Sequence, residues 1–303
     1  EDLPRLTFGN WVGGDRDGHP FVTAATTRET LQRLRSAAFD IHKRNLKQLY
    51  DNLSLSDLFQ KPPGFLLDAI QEKAAHLGAE ADFVMHASPR EPWRQFVGLM
   101  AACMPGKEGE SSYSYRRPEA LRDDLALVRK SLDAVGAHRL AESEVGPVER
   151  ALDVFGFHLA ALDIRQNSEF HDQALAQLLE ASGTADGDFP EWDEERRRAF
   201  LNQELGLLRP LAPRGVDWGP QAKAVIDTYQ VVADQIRDYG PEGIGVFVIS
   251  MTRDLSDLLV VYVLAREVGL LRPTEDGPVC DIPVVPLFET VDDLKNSSRI
   301  LKD

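Results

Sequence analysis

The run Gly243-Ile244-Gly245-Val246-Phe247-Val248-Ile249-Ser250-Met251 is apolar, rich in β-branched residues and opened by glycine, and it reads as a buried strand. A second such run is Asp281-Ile282-Pro283-Val284-Val285-Pro286-Leu287-Phe288-Glu289-Thr290, which ends in a carboxylate. A third, Phe157–Gln166, has a short apolar middle and closes on Asp163-Ile164-Arg165-Gln166; periodicity alone does not separate it from helix. Helical patterns follow each run: Ser168–Ala181, Asp254–Val268 and a helix from about Val291, with further helices over Glu191–Leu205 and Pro220–Tyr239. Strands apolar on both faces that alternate with helices demand a parallel sheet covered by helices, either an α/β barrel or an open sheet.

The first half has a different character. A helix capped by Thr26 or Thr27 begins near Arg28 and runs to about Asn52, with Leu31, Leu34, Ala38 and Ile41 on one stripe. Lys61-Pro62-Pro63-Gly64 breaks the chain, and helical patterning resumes through Phe65–His76, Phe83–His86 and from Pro92 onward. Gly106–Arg117, with Gly109, Ser111, Ser112 and Ser114, reads as an exposed loop in which Arg116 and Arg117 are solvated or meet an anionic effector. Pro118–Ala141 reads as one long helix, Val148–Phe155 as another, and Gly183–Gly187 as a surface loop. Residues 1–147 are thus mainly helical, and 148–303 alternate strands with helices.

Charge narrows the partners. With 49 acidic and 34 basic residues the formal net charge is -15, which repels nucleic acid and anionic lipid. An anionic ligand would therefore need a local concentration of Arg, Lys or metal. The dense basic run Arg196-Arg197-Arg198 follows Glu194-Glu195 and reads as a solvated helix face. Cys103 and Cys280 lie far apart in apolar contexts, as expected of buried inert thiols in a reducing cytoplasm. No apolar run has the length of a membrane span. The chain opens on Glu1-Asp2 with neither an initiator Met nor a signal-like segment, so it is expected to be a piece of something longer.

Chemistry-bearing residues gather in few places. Phe8-Gly9-Asn10-Trp11-Val12-Gly13-Gly14-Asp15-Arg16-Asp17-Gly18-His19-Pro20 sets two carboxylates around one guanidinium inside a glycine-rich turn, which can brace a loop or supply counter-charge to a ligand. Arg165, Ser250 and Glu289 stand where strands end, and in an α/β barrel such side chains share one pocket. An Arg fork suits phosphate oxygens, and Mg²⁺ takes one or two protein carboxylates with water and substrate oxygens. Structural roles fit the same residues: Asp163 can pair with Arg165 or with another strand, Arg165 can brace the barrel, and Glu289 can cap the helix at Val291. His158, within an apolar run, reads as a hydrogen-bonded core histidine, His171 as part of the following helix, and His19 as the end of the glycine motif. The histidines form no pair at metal-ligand spacing, and nucleophile elbow, Walker loop and dinucleotide fingerprint are all missing.

Four segments together, FGNWVGGDRDGHP (Phe8–Pro20), FGFHLAALDIRQNSEFH (Phe155–His171), VISMTRDLSD (from Val248) and VVPLFETVDDL (from Val284), resemble phosphoenolpyruvate carboxylase. The resemblance runs from about residue 6 to 295. It implies a phosphoenolpyruvate-binding (β/α)8 TIM-type barrel elaborated by many helices, within an α/β fold of predominant helix. It implies Mg²⁺ or Mn²⁺ as cofactor, phosphoenolpyruvate and bicarbonate as substrates, oxaloacetate and phosphate as products, a cytoplasmic homotetramer, and no nucleic-acid or membrane partner. Carried over by motif, Arg165 would hold phosphate or bicarbonate and Glu289 would bind metal, while Trp11, Asp15, Arg16 and Asp17 would line or brace the site. His19 stands where the family commonly has Asn. The family's TAHPTE segment would lie before residue 1, and its GYSDS and FHGRGG segments after residue 303. The resemblance thus makes residues 1–303 an internal segment, roughly a third of the enzyme with about half of its barrel, inactive alone. The competing expectation is a non-catalytic relative that keeps the scaffold for effector binding or assembly.

Overall fold

The computed structural model describes residues 4, 6–106, 111–184, 187–207, 209–211, 217–275 and 277–302. It divides into two units, Glu1–Phe8 with Arg33–Leu159, and Gly9–Gln32 with Ala160–Asp303. The chain enters through strand β1 (Gly9–Asn10) and helix α1 (Ala24–Asn52). That helix starts earlier than Thr26 or Thr27 would allow as caps. The Thr23 hydroxyl instead accepts the Thr26 N–H at 3.4 Å, and the Thr27 hydroxyl, inside the helix, donates to the Gly13 carbonyl at 2.7 Å.

The first unit is built of helices. After the C-terminal part of α1 come α2 (Gly64–Leu77), α3 (Ala79–Ala87), α4 (Pro92–Ala102), α5 (Pro118–Asp133), the single turn α6 (His138–Leu140), a π-turn over Ala141–Val145, and α7 (Gly146–Phe155). Trp93, Phe96, Leu99 and Met100 of α4 and Leu121, Leu125, Val128 and Leu132 of α5 are wholly buried together. The Trp93 indole N–H donates to the Ser131 hydroxyl at 2.8 Å, so this bulky anchor leaves no unpaired donor in the core. The helix expected over Pro118–Ala141 stops at Asp133. Gly136 takes φ +78°, and the Ala137 N–H returns to the Leu132 carbonyl, which ends α5 in a left-handed turn. In the loop expected over Gly106–Arg117, Gly109 lies outside the described residues. Tyr115 departs from the expected exposure: it is buried and donates its hydroxyl to Asp124, while the Arg116 and Arg117 side chains are exposed.

The second unit carries a parallel sheet in the order β1-β2-β3-β6. Its further strands are β2 (Ala161–Asn167), β3 (Ile244–Ser250), β4 (Leu271–Thr274), β5 (Gly277–Cys280) and β6 (Val284–Pro286); β4 and β5 form a separate antiparallel pair. Helices α8 (Ser168–Ser182), α9 (Glu194–Leu205), α10 (Pro220–Tyr239), α11 (Leu255–Glu267) and α12 (Val291–Ile300) follow the strands. β2 begins later than Phe157 because Gly156 and Leu159 both take positive φ, which turns the chain before it extends. β6 is much shorter than the run Asp281–Thr290. Pro283 and Pro286 cannot donate to the ladder, although Phe247 N–H still reaches the Pro283 carbonyl at 2.8 Å and Leu287 N–H reaches Ile249 at 2.9 Å. α9 starts at Glu194 rather than Glu191, because the Asp193 carboxylate accepts the Arg196 N–H at 2.8 Å as its cap. Of the loop expected over Gly183–Gly187, residues 185 and 186 lie outside the described residues.

The basic run on α9 is not the solvated face that its charge suggests. Arg197 is buried and pairs with Asp172 of α8 and, at 3.3 Å, with Asp257 of α11. Arg253 closes the network, 2.7 Å from Asp172 and 2.8 Å from Asp257. Arg196 lies over the Trp192 ring at 3.8 Å. Arg197→Leu would leave two buried carboxylates with Arg253 as their remaining partner, so an unfolding free energy lower by about 2–3 kcal/mol is expected in urea titration. A loss below about 1 kcal/mol would mean that the network contributes little.

His171 of α8 is completely buried. Its Nδ1 lies 3.1 Å from the Asn167 carbonyl and its Nε2 2.9 Å from the Tyr229 hydroxyl, so Nδ1 carries the proton and Nε2 accepts. Burial pushes this imidazole from 6.5 down to about 4. Between those values the unfolded chain binds a proton at this position and the folded chain does not. Stability therefore falls as pH drops through that window, by up to about 3 kcal/mol from this residue. Urea midpoints measured at about pH 7 and about pH 4 should converge in His171→Gln relative to the unmodified chain. Parallel pH profiles would contradict this. Cys103 is buried and Cys280 half-buried; both are free thiols pushed up by burial.

Candidate functional site

β2 sets the geometry. Leu162, Ile164 and Gln166 are buried on one face, and Asp163, Arg165 and Asn167 are half-buried on the other. The chain after β1 is pulled against this strand by a tight turn, in which the Trp11 carbonyl accepts the N–H groups of Gly14 and Asp15, each at 3.0 Å. Gly14 allows that approach, since a Cβ there would stand 2.0 Å from the Asp163 carbonyl oxygen. Arg165 N–H then donates to Gly14 at 3.0 Å and Arg16 N–H to Arg165 at 2.9 Å, carrying the parallel pairing on to Asp15. Extended backbone sends alternate side chains to opposite faces. Asp15 and Asp17 accordingly turn to Arg165, and Arg16 turns away.

Arg165 is the centre of the cluster. Its guanidinium reaches Asp15 at 3.4 Å, Asp17 at 2.8 Å and Glu289 at 3.0 Å, and lies 5.6 Å from the centroid of the Trp11 ring. Its Nε is buried without a hydrogen-bond partner. The second Glu289 oxygen accepts the Met251 N–H at 3.0 Å. Trp11 is held by its indole N–H, which donates to Asp163 at 2.8 Å. The other Asp163 oxygen accepts the Val246 N–H at 2.9 Å, so Asp163 ties Trp11 to β3 and does not pair with Arg165. Glu289 is not the cap of α12 either. Thr290 takes that role in a reciprocal capping box with Asp293.

Trp11, Asp15, Asp17, Arg165 and Glu289 are therefore brought together, and Arg16 is not. Its guanidinium bonds to the carbonyls of Gly14 and Thr23, each at 3.4 Å, and to the Thr27 hydroxyl. Ser250 is wholly buried at its strand end, with its hydroxyl unpaired. His19 is exposed, with its ring edge against Phe21. Met251 lies in the VISMTRDLSD segment, but neither its backbone hold on Glu289 nor its positive φ of 55° was legible there.

One guanidinium faces three carboxylates in this cluster, so two negative charges remain uncompensated. That balance suits a divalent cation ahead of an anion. Glu289, standing at the sheet's C-terminal edge, is an oxygen donor of the type Mg²⁺ takes. Among the described residues no group of three or more His, Cys, Asp or Glu is placed to hold a metal ion. No helix among the described residues is long and apolar enough to cross a membrane.

The family model described as Phosphoenolpyruvate carboxylase matches residues 1–303. The phosphoenolpyruvate carboxylase of Psychromonas ingrahamii is 35% identical over 299 residues, covering 98% of this chain and 31% of the relative. That of an Azoarcus species is 36% identical over 308 residues, covering 99% and 33%, and that of Aeromonas hydrophila 34% identical over 303 residues, covering 99% and 32%. The chain thus spans about a third of the length of the curated relatives it matches.

Proposed function

The chain belongs to the phosphoenolpyruvate carboxylase family, and from that membership we propose that it is an internal segment of a cytoplasmic, homotetrameric enzyme that carboxylates phosphoenolpyruvate with bicarbonate, giving oxaloacetate and phosphate. The observation that carries the reading is the convergence of Arg165 and Glu289, from strand ends 124 residues apart, with the two carboxylates of the Asp15-Arg16-Asp17 loop. The four parallel strands stand side by side in chain order. Barrels wind this way, whereas a doubly wound open sheet reverses its order at a switch point. We read them as part of a (β/α)8 barrel.

In this reading bicarbonate oxygen attacks the phosphorus of phosphoenolpyruvate, and the bond from phosphorus to the enol oxygen breaks. Carboxyphosphate and the pyruvate enolate result, and the enolate carbon takes up the CO₂ released from carboxyphosphate. Arg165 offers its planar fork to the phosphate or bicarbonate oxygens, exchanging a carboxylate partner for the substrate. Asp15 and Asp17 hold the fork in place until then. Trp11, pinned by Asp163, presents its ring beside Arg165 and keeps water from the enolate, which would otherwise be protonated. Glu289 would hold Mg²⁺ or Mn²⁺, which when bound supplies positive charge to the phosphoryl and enolate oxygens.

The remaining catalytic groups lie outside residues 1–303 in this reading. The chain alone, supplied with phosphoenolpyruvate, bicarbonate, Mg²⁺ and malate dehydrogenase as coupling enzyme, should form no oxaloacetate while its circular dichroism remains that of a folded helical protein. Robust turnover would show that the segment is self-sufficient and would overturn this division of the site.

A further inference from the structure

A cavity of about 950 Å³ lies along β2 on the face away from Arg165. The loop over residues 16–20, the start of α1, the strand itself, α8 and α10 wall it. Most of the wall is apolar, supplied by Val22, Ala25, Ile164, Phe170, Val225 and Phe247. Its volume is that of a site for a small organic molecule.

Two polar side chains of the wall, Gln166 and Arg16, bear on what it can hold. Gln166 is only 7% exposed, and its side-chain oxygen has no hydrogen-bond partner. A folded protein loses stability by leaving such an atom unpaired. Arg16 bonds only neutral oxygens, with no carboxylate partner among the described residues, and burial pushes it down to about 10. The other charges at the wall are committed or peripheral. Asp17 is held by Arg165, Lys223 pairs with Asp227, and Glu169 and His19 stand at the exposed rim. His171 and Tyr229, also at the wall, satisfy each other.

We propose that this cavity binds a small carboxylic acid with an apolar body and one hydrogen-bond donor. Arg16 takes the carboxylate, Gln166 accepts from the donor, and the apolar wall covers the body. This site goes beyond the carboxylation reading and does not depend on it. Arg16 sits between Asp15 and Asp17, so an occupant bears on the loop that presents both carboxylates to Arg165.

Titration calorimetry of the full-length protein containing this segment with 4-hydroxyphenylacetate tests the proposal. Saturable one-site binding is expected. Tyrosol, which has the same ring and hydroxyl without the charge, should bind at least about tenfold more weakly. Gln166→Leu removes the orphan oxygen at similar volume, so it should fold at least as stably and weaken 4-hydroxyphenylacetate binding by about tenfold. Arg16→Lys keeps the charge and loses the fork, and should weaken it as well. Absence of saturable heat up to about 10 mM ligand would overturn the proposal. Equal affinity for tyrosol, or affinity unchanged in both variants, would do so too.

Discussion

Arg165→Ala, made in a full-length carboxylase containing this segment, is expected to lower turnover by about 10³-fold or more. The guanidinium reaches three carboxylates and lies beside the Trp11 ring, so the substitution removes the sole cation of the cluster and leaves its acids facing one another. Arg165→Lys separates charge from shape. Lysine restores the positive charge but not the two-pronged contact to phosphate oxygens, so an intermediate rate is expected, with more of the loss in kcat than in KM. Turnover within about twofold of the unmodified enzyme for Arg165→Ala would reduce this residue to a brace of the loop.

Glu289→Gln should be comparably severe through a different term. Glutamine keeps an oxygen for the Met251 N–H, so the local fold has every reason to persist. What disappears is the negative charge available to a divalent ion. Turnover is expected to fall by about 10³-fold, and the Mn²⁺ affinity followed by electron paramagnetic resonance by about 10-fold or more. Unchanged Mn²⁺ binding together with normal rates would remove Glu289 from the metal site.

Much of this arrangement could be read from the chain. β3 is so apolar and β-branched that its burial between helices was legible from residues alone, and the helix-start signals at Pro92, Ser168 and Pro220 corresponded to real termini. The glycine-rich loop was legible as a turn. That Asp15 and Asp17 face Arg165 while Arg16 faces the opposite side follows only from its strand-like pairing with β2.

Other features depend on tertiary partners distant in sequence. Arg197 sits in a run of three arginines after two glutamates, the pattern of a solvated face, and only Asp172 and Asp257 on other helices explain its burial. Asp163 looked able to pair with Arg165 or with another strand, and the second alternative holds. β3 brings the Val246 N–H to it, and Trp11 completes its bonding from the far side of α1 in sequence. The length of β6 was overread because apolar character does not reveal which backbone groups pair, and Pro283 and Pro286 remove two donors. Glu289 looked equally able to cap α12, and the competition was decided by Thr290 one residue later.

Oxaloacetate formation by the full-length protein decides between a carboxylase and a non-catalytic scaffold. Purified enzyme would receive phosphoenolpyruvate, bicarbonate and Mg²⁺, with oxaloacetate read through malate dehydrogenase and phosphate release measured in parallel. Equal amounts of oxaloacetate and phosphate, dependent on bicarbonate and on the divalent ion and collapsing in both Arg165→Ala and Glu289→Gln, are the predicted result. A folded full-length protein that forms no oxaloacetate would contradict the account and make this scaffold a non-catalytic member of its family.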